Sequence, residues 1–205
     1  MDAKKKTLGA TERDEVARET WRADTAPTLD PRRLVAVDEM ATTIALTRLY
    51  GYAPHNERCP GAVPRNHDRP TSLVAALRLE GIPAAMTLAG AFDTAAFAVF
   101  VDQILGPTLA PGDIVLLDNL SAHKSAPVQA AIEARGATAV FLPSYSPDLN
   151  PIELAFSKIK QFLRSAGART QEALDAAIAR ALDTISPADA IAFFKHCGFP
   201  LKDTS

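Results

Sequence analysis

Apolar residues recur along this chain with two periods, and carboxylates interrupt them at informative places. Ile114-Val115-Leu116-Leu117 is a continuous apolar run that stops on Asp118, and Leu34-Val35-Ala36-Val37 stops in the same way on Asp38. Short apolar runs with β-branched members suit strands buried on both faces. An acid at the carboxyl end of such a strand sits at the sheet rim, where ligands usually bind. Further strands are read at Ser72 to Leu79 and Ile82 to Leu88, joined by a tight turn at Glu80-Gly81, and at Ala139 to Leu142. Thr42 to Tyr50 alternates loosely and reads as a return strand. Gly51 to Arg69, rich in Gly, Pro and Asn, reads as an irregular loop.

Helical periodicity accounts for most of the remainder. Asp93 or Thr94 caps a helix with Phe97, Phe100, Val101 and Ile104 inward, ended by Pro107 and Pro111. Ser125 caps another, with Val128 and Ile132 inward and Gly136 at its end. Asn150 as cap, Pro151 at the first helical position and Glu153 at the third compose a capping-box variant, followed by the stripe Ile152, Phe156, Ile159, Leu163. Thr170 opens a helix buried through Leu174, Ile178, Leu182 and Ile185. Ser186-Pro187 opens a last one with Ile191 and Phe194 inward, ended by Gly198. Met1 to Asp30 is charge-dense; Thr11 reads as the cap of a short solvated helix to about Trp21, broken by Pro27 and Pro31.

Composition narrows the class. At 205 residues and 21.9 kDa, with 47% hydrophobic residues and mean hydropathy +0.00, the chain reads as one globular domain with appendages. No apolar run approaches the roughly 20 residues of a membrane span. The N-terminus lacks an apolar signal region, and Cys59 and Cys197 make no disulfide framework. A reducing cytoplasm is the expected compartment. His55, Cys59 and His67 share a loop but match no zinc spacing. Net charge −2 and pI about 6.1 argue against a strong free-standing DNA binder.

The chemistry concentrates in the acids. Neighbouring strands ending in Asp38 and Asp118 would set two carboxylates side by side, and Glu153 could arrive as a third from its helix. Such acids repel one another unless a cation neutralises them, and an oxygen-rich site suits magnesium or manganese. Each acid also has a plainer reading: Glu153 as a helix cap, Asp38 and Asp118 bonded to turn amides. Glu39 is the spare acid, beside the site or exposed. His123 could contact a phosphate, orient a ligand or serve structurally. Lys124, Lys158, Lys160 and Arg164 are the basic candidates for backbone phosphates; Tyr145 could contact DNA or pack.

Four segments carry a family resemblance: LVAVDE around Asp38, TRLYGYAP at Thr47 to Pro54, PGDIVLLDNLSAHKS at Pro111 to Ser125, and FLPSYSPDLNPIELAFSKIK at Phe141 to Lys160. Thirty-four residues separate Asp118 from Glu153. In these strings and this spacing the chain, from roughly Leu34 to Phe199, resembles the catalytic half of bacterial insertion-sequence transposases of family six-thirty, in the mariner superfamily. One departure is Glu39-Met40-Ala41, where that family usually carries Glu-Thr-Gly. The resemblance implies an RNase H-like fold, a mixed five-stranded sheet flanked by helices with extra C-terminal helices; the pattern alone leaves other α/β arrangements open. It divides the chain into a charged linker helix (1–33), a DDE catalytic domain (34–199) and a tail (200–205).

The implied activity is metal-dependent cleavage of DNA at transposon ends and strand transfer into a target. Asp38, Asp118 and Glu153 would hold two Mg2+ or Mn2+ ions, with Asn119 and His123 orienting them. The implied partners are DNA, an N-terminal helix-turn-helix half in cis or in trans, and a second copy forming a homodimer, with no membrane. The alternatives are a general RNase H-like nuclease, and an inactive or truncated fragment that regulates an intact transposase.

Overall fold

A nine-residue strand, β1 (Leu34–Thr42), runs through the middle of the molecule and sorts its neighbours onto two faces. In this computed structural model, which describes residues 10–65 and 69–201, Leu34, Ala36 and Met40 point into one core, and Val35 and Val37 into the other. That is the period-2 alternation of a strand covered on both sides. Antiparallel to β1 lies β2 (Thr71–Arg78), and antiparallel to β2 lies β3 (Gly81–Ala89). On the other side β4 (Ile114–Leu117) and β5 (Thr138–Phe141) pair in parallel, giving the order β3-β2-β1-β4-β5. The β2–β3 turn needs Gly81, whose φ of 123° a side chain would oppose.

Val35, Val37, Val74, Ala76, Val115 and Leu117 face α2 (Thr94–Val99) and α3 (Ala126–Glu133). The opposite face packs on α4 (Pro151–Ala166), α5 (Gln171–Leu182) and α6 (Pro187–His196). All four predicted stripe residues of α4, Ile152, Phe156, Ile159 and Leu163, are buried. Gly167 ends that helix in the left-handed conformation, with φ 58°.

Several expectations are corrected. Thr43 to Tyr50 forms no return strand, because β2 already fills the place beside β1 and leaves that segment no partner. The helix begun at Thr94 widens into a π-helical turn, Phe100–Leu105. The extra residue per turn brings Leu105, not Ile104, fully into the core. In α6 the inward residues are Ala190 and Phe194, while Ile191 is 39% exposed.

The N-terminal segment departs furthest from a solvated helix. α1 (Glu15–Thr20) is capped by Asp14 rather than Thr11. Behind it Trp21, Ala26 and Leu29 join the α4–α6 core, and Trp21 meets Phe199 edge-on with ring centroids 5.9 Å apart. Arg18 is wholly buried, its Nη2 donating to Asp148 Oδ2 at 2.8 Å. Hydrophobic spacing could not reveal this, because an arginine supplies both the buried stem and the ion pair.

Candidate active site

The parallel pairing of β1 with β4 ends at Ala36 opposite Leu116. Two residues further on, in the same register, Asp38 and Asp118 leave neighbouring strands on the α4 face. Alternation turns Glu39 to the opposite face, toward α2 and α3. α4 then brings Glu153 in its first turn. All three acids line one cavity of about 330 Å³, together with Asn119, Tyr145 and Asn150.

Asp38 is the most enclosed of the three in chemical terms. Its Oδ1 accepts from the Glu39 amide at 2.8 Å and its Oδ2 from Asn150 Nδ2 at 3.1 Å. Burial pushes its carboxyl up to about 7; the Glu39 amide opposes this, and the charges of Asp118, Glu153 and Glu39 add to it. Burial also raises Glu153, with the charge of Lys160 opposing.

Asp118 is held from behind. Its Oδ1 accepts from the Leu120 amide at 3.0 Å and meets His123 Nδ1 at 2.5 Å. The other ring nitrogen, Nε2, lies 3.1 Å from Glu39 Oε2. The imidazole is fully buried, stacked on Phe97 at 4.1 Å between centroids. Burial disfavours its charged form, but the bonds to Asp118 and Glu39 outweigh that and raise it to about 9. His123 is therefore an imidazolium at neutral pH, donating to a carboxylate at each end. Glu39, read from the sequence as a spare acid, is its second partner. The signal lay in strand alternation: the residue after Asp38 must face the α2–α3 side.

Asn150 is placed differently from its expected role as a cap. The capping box does not form: Asn150 makes no side-chain bond to the helix start, and its amide goes to Asp38. Asn119 ties the β4 loop to the β5 loop, its Nδ2 donating to Ser144 Oγ at 2.6 Å. Tyr145 heads that loop with φ 54° and is 55% exposed, so it does not pack into the core.

The basic candidates separate. At about 100° per residue, Lys160 and Arg164 return to within about 20° of Glu153 around α4, and both are half-buried. Lys158 lies about 140° away by the same geometry. Its ammonium bonds Asp189 at 2.7 Å and the Thr184 carbonyl at 2.8 Å, which ties α4 to α6 and removes it from the site. Lys124 is exposed, 5.6 Å from the centre of the Phe141 ring. His55 and Cys59 lie exposed in the loop after β1, and His67 is outside the described residues.

Among the described residues no three Asp, Glu, His or Cys side chains already stand as a closed metal-ligand set. The donor chemistry nonetheless fits a hard divalent cation: carboxylate oxygens face one cavity, Asp38 is driven toward its neutral form by burial and then by its neighbours' charge, and Asn150 Oδ1 is buried without a partner.

A mixed five-stranded sheet with helices on both faces and acids gathered where β1 and β4 meet α4 defines an RNase H-like fold with a carboxylate site. The chain belongs to the DDE superfamily endonucleases, whose family model matches residues 33–175. Its fold is that of Mos1 transposase in the paired-end complex with left transposon end, at TM-score 0.77 and 17% identity, covering 97% of this chain and 64% of that one. The Mos1 mariner paired end complex with Mn gives TM-score 0.76 at 17% identity, with 96% and 64% covered. The catalytic domain of Mos1 mariner transposase alone gives 0.58 at 14%, with 90% and 84% covered. The chain thus spans just under two thirds of the Mos1 chain in those complexes. No curated protein matches its sequence.

Proposed function

We propose that this chain is the catalytic domain of a DNA transposase, of the type found in bacterial insertion sequences of family six-thirty. It cleaves DNA strands at transposon ends and joins them to a target. The observation that carries this reading is the single cavity shared by Asp38, Asp118 and Glu153 in a chain of the DDE endonuclease family.

The three acids would hold Mg2+ or Mn2+, two ions in the full assembly; relatives of the same fold are described with each metal. The ions supply activation of the attacking water or hydroxyl and neutralise charge on the leaving oxygen. What the chain does is position and orient. His123 clamps Asp118 Oδ1, which aims that carboxylate at the cavity. Asn119 fixes the loop that carries Tyr145 to the cavity mouth. Lys160, Arg164 and Lys124 reach phosphates of the bound strand, and Tyr145 lies against its exposed end.

With a net charge of −2, the domain depends on a partner for recognition of transposon ends. A helix-turn-helix half, in cis or in trans, supplies it, and paired ends bring two copies together. Among the described residues no helix is long and apolar enough to cross a membrane, and the site of action is DNA in the cytoplasm.

The test is an oligonucleotide assay with Mg2+ and with Mn2+ that scores nicking and strand transfer separately. Both products are expected, and both disappear in Asp118→Asn. Nicking without joining makes the chain a general nuclease. DNA binding with neither product, and inhibition of an intact transposase, makes it a regulator.

A further inference from the structure

One polar atom in the cavity has no role in the scheme above. Asn150 is only 1% exposed and sits at the cap position of α4, where its side chain ordinarily accepts from the first turn. It makes no such bond. Its Nδ2 donates to Asp38 Oδ2 at 3.1 Å, and its Oδ1 is buried with no partner. A buried carbonyl oxygen left unbonded destabilises the fold, and so does a forgone cap. The amide is committed instead to Asp38. The spare oxygen therefore belongs to a residue that lines the same cavity as the three acids.

We infer that Asn150 is itself a ligand-binding residue, its Oδ1 serving as a fourth, uncharged oxygen donor to the divalent cation held by Asp38, Asp118 and Glu153. The inference rests on the metal-site reading above. Amide carbonyl oxygens are ordinary donors to hard cations. An uncharged donor also adds an oxygen without adding to the repulsion among three acids. Because Nδ2 grips Asp38 and Oδ1 would be offered to the ion, one side chain would couple the first strand acid to the segment that delivers Glu153.

Two substitutions separate the two ends of the amide. Asn150→Ser keeps a competent helix cap but removes both the donor to Asp38 and the carbonyl oxygen. Asn150→Asp keeps an oxygen, removes the donor to Asp38 and adds a negative charge that itself favours a cation. Mn2+ affinity of the 205-residue chain is measured by electron paramagnetic resonance of the free ion, beside the melting temperature with and without metal and with Asp118→Asn as the site control. The expected result is wild-type binding, loss in Asp118→Asn, affinity about tenfold weaker in Asn150→Ser, and affinity at or above wild type in Asn150→Asp. If Asn150→Asp binds as weakly as Asn150→Ser, the bond to Asp38 is what counts and the inference is overturned. If Asn150→Ser binds like wild type, the residue is structural and the inference is likewise overturned. Failure of the broader reading has a separate signature: no binding by wild type, or equal binding by Asp118→Asn, removes the metal site and the inference with it.

Discussion

Replacing Asp148 by alanine tests the tie between the N-terminal segment and the loop that precedes α4. Asp148 Oδ2 accepts from Arg18 Nη2 and from Arg22 Nη2, both at 2.8 Å. The Arg22 bond is exposed and contributes about 0–1 kcal/mol. The Arg18 guanidinium is wholly buried, with Nη1 already unpartnered. Removing one partner of a buried pair costs about 3–5 kcal/mol. Asp148 is 44% exposed and Glu15 remains 3.2 Å from Arg18 Nε, which lowers the expectation to about 2–3 kcal/mol. For a chain of this size that is a fall in melting temperature of about 5–10 °C, read by circular dichroism without metal. Arg18→Met should cost less than Asp148→Ala, because it removes the buried charge along with its bond. In the double-mutant cycle the pair should couple by at least about 1 kcal/mol. The sign with pH follows. Burial pushes the Asp148 carboxyl up, but the Arg18 bond and charge outweigh it and hold it below the usual carboxylate range. Its contribution is thus present above the unfolded pKa and lost as pH falls through the folded one, so wild type and Asp148→Ala should converge in acid. A melting temperature for Asp148→Ala within about 1 °C of wild type, where 5–10 °C is expected, would refute the argument. So would an Arg22→Ala cost equal to it.

Three other outcomes are expected. Glu153→Gln should abolish strand cleavage while leaving the metal-free protein at least as stable as wild type at pH 7, because burial already disfavours the charged carboxyl; a loss of about 1 kcal/mol with activity intact would make Glu153 a cap. The pairing of His123 contributes stability that is complete below its unfolded pKa near 6.5 and lost as pH rises through about 9, so urea midpoints of the metal-free wild type should fall across that interval and those of Glu39→Gln less steeply; equal slopes would remove Glu39 from the pairing. The isolated chain should bind duplex DNA non-specifically, with Kd on the order of 10⁻⁴–10⁻⁶ M and strong weakening by salt. Lys160→Ala and Arg164→Ala should weaken that binding, while Lys158→Ala leaves it unchanged and lowers stability by about 1 kcal/mol or less; discrimination beyond about tenfold between end-sequence and scrambled duplex would reveal a specificity element in this chain.

What the residues determine alone is whatever depends on neighbours along the chain. Runs such as Leu34–Val37 and Ile114–Leu117 read as buried strands, the stripe Ile152, Phe156, Ile159, Leu163 reads as one helix face, and the strings around Asp38, Asp118 and Glu153 carry the family resemblance. Period alone also places Asp38 and Glu39 on opposite faces of β1. Tertiary structure decided which local preference was overruled. Asn150 is a strong cap by its chemistry, yet its amide goes to Asp38, 112 residues away, because that acid is buried and needs a donor. Lys158 looked like a phosphate contact until α6 brought Asp189 beside it. Arg18 looked solvated until Asp148, 130 residues on, gave its charge a buried partner. The bridge from Glu39 through His123 to Asp118 likewise spans 84 residues. A polar side chain takes whichever partner packing brings within about 3 Å, and no pattern of spacing along the chain contains that distance.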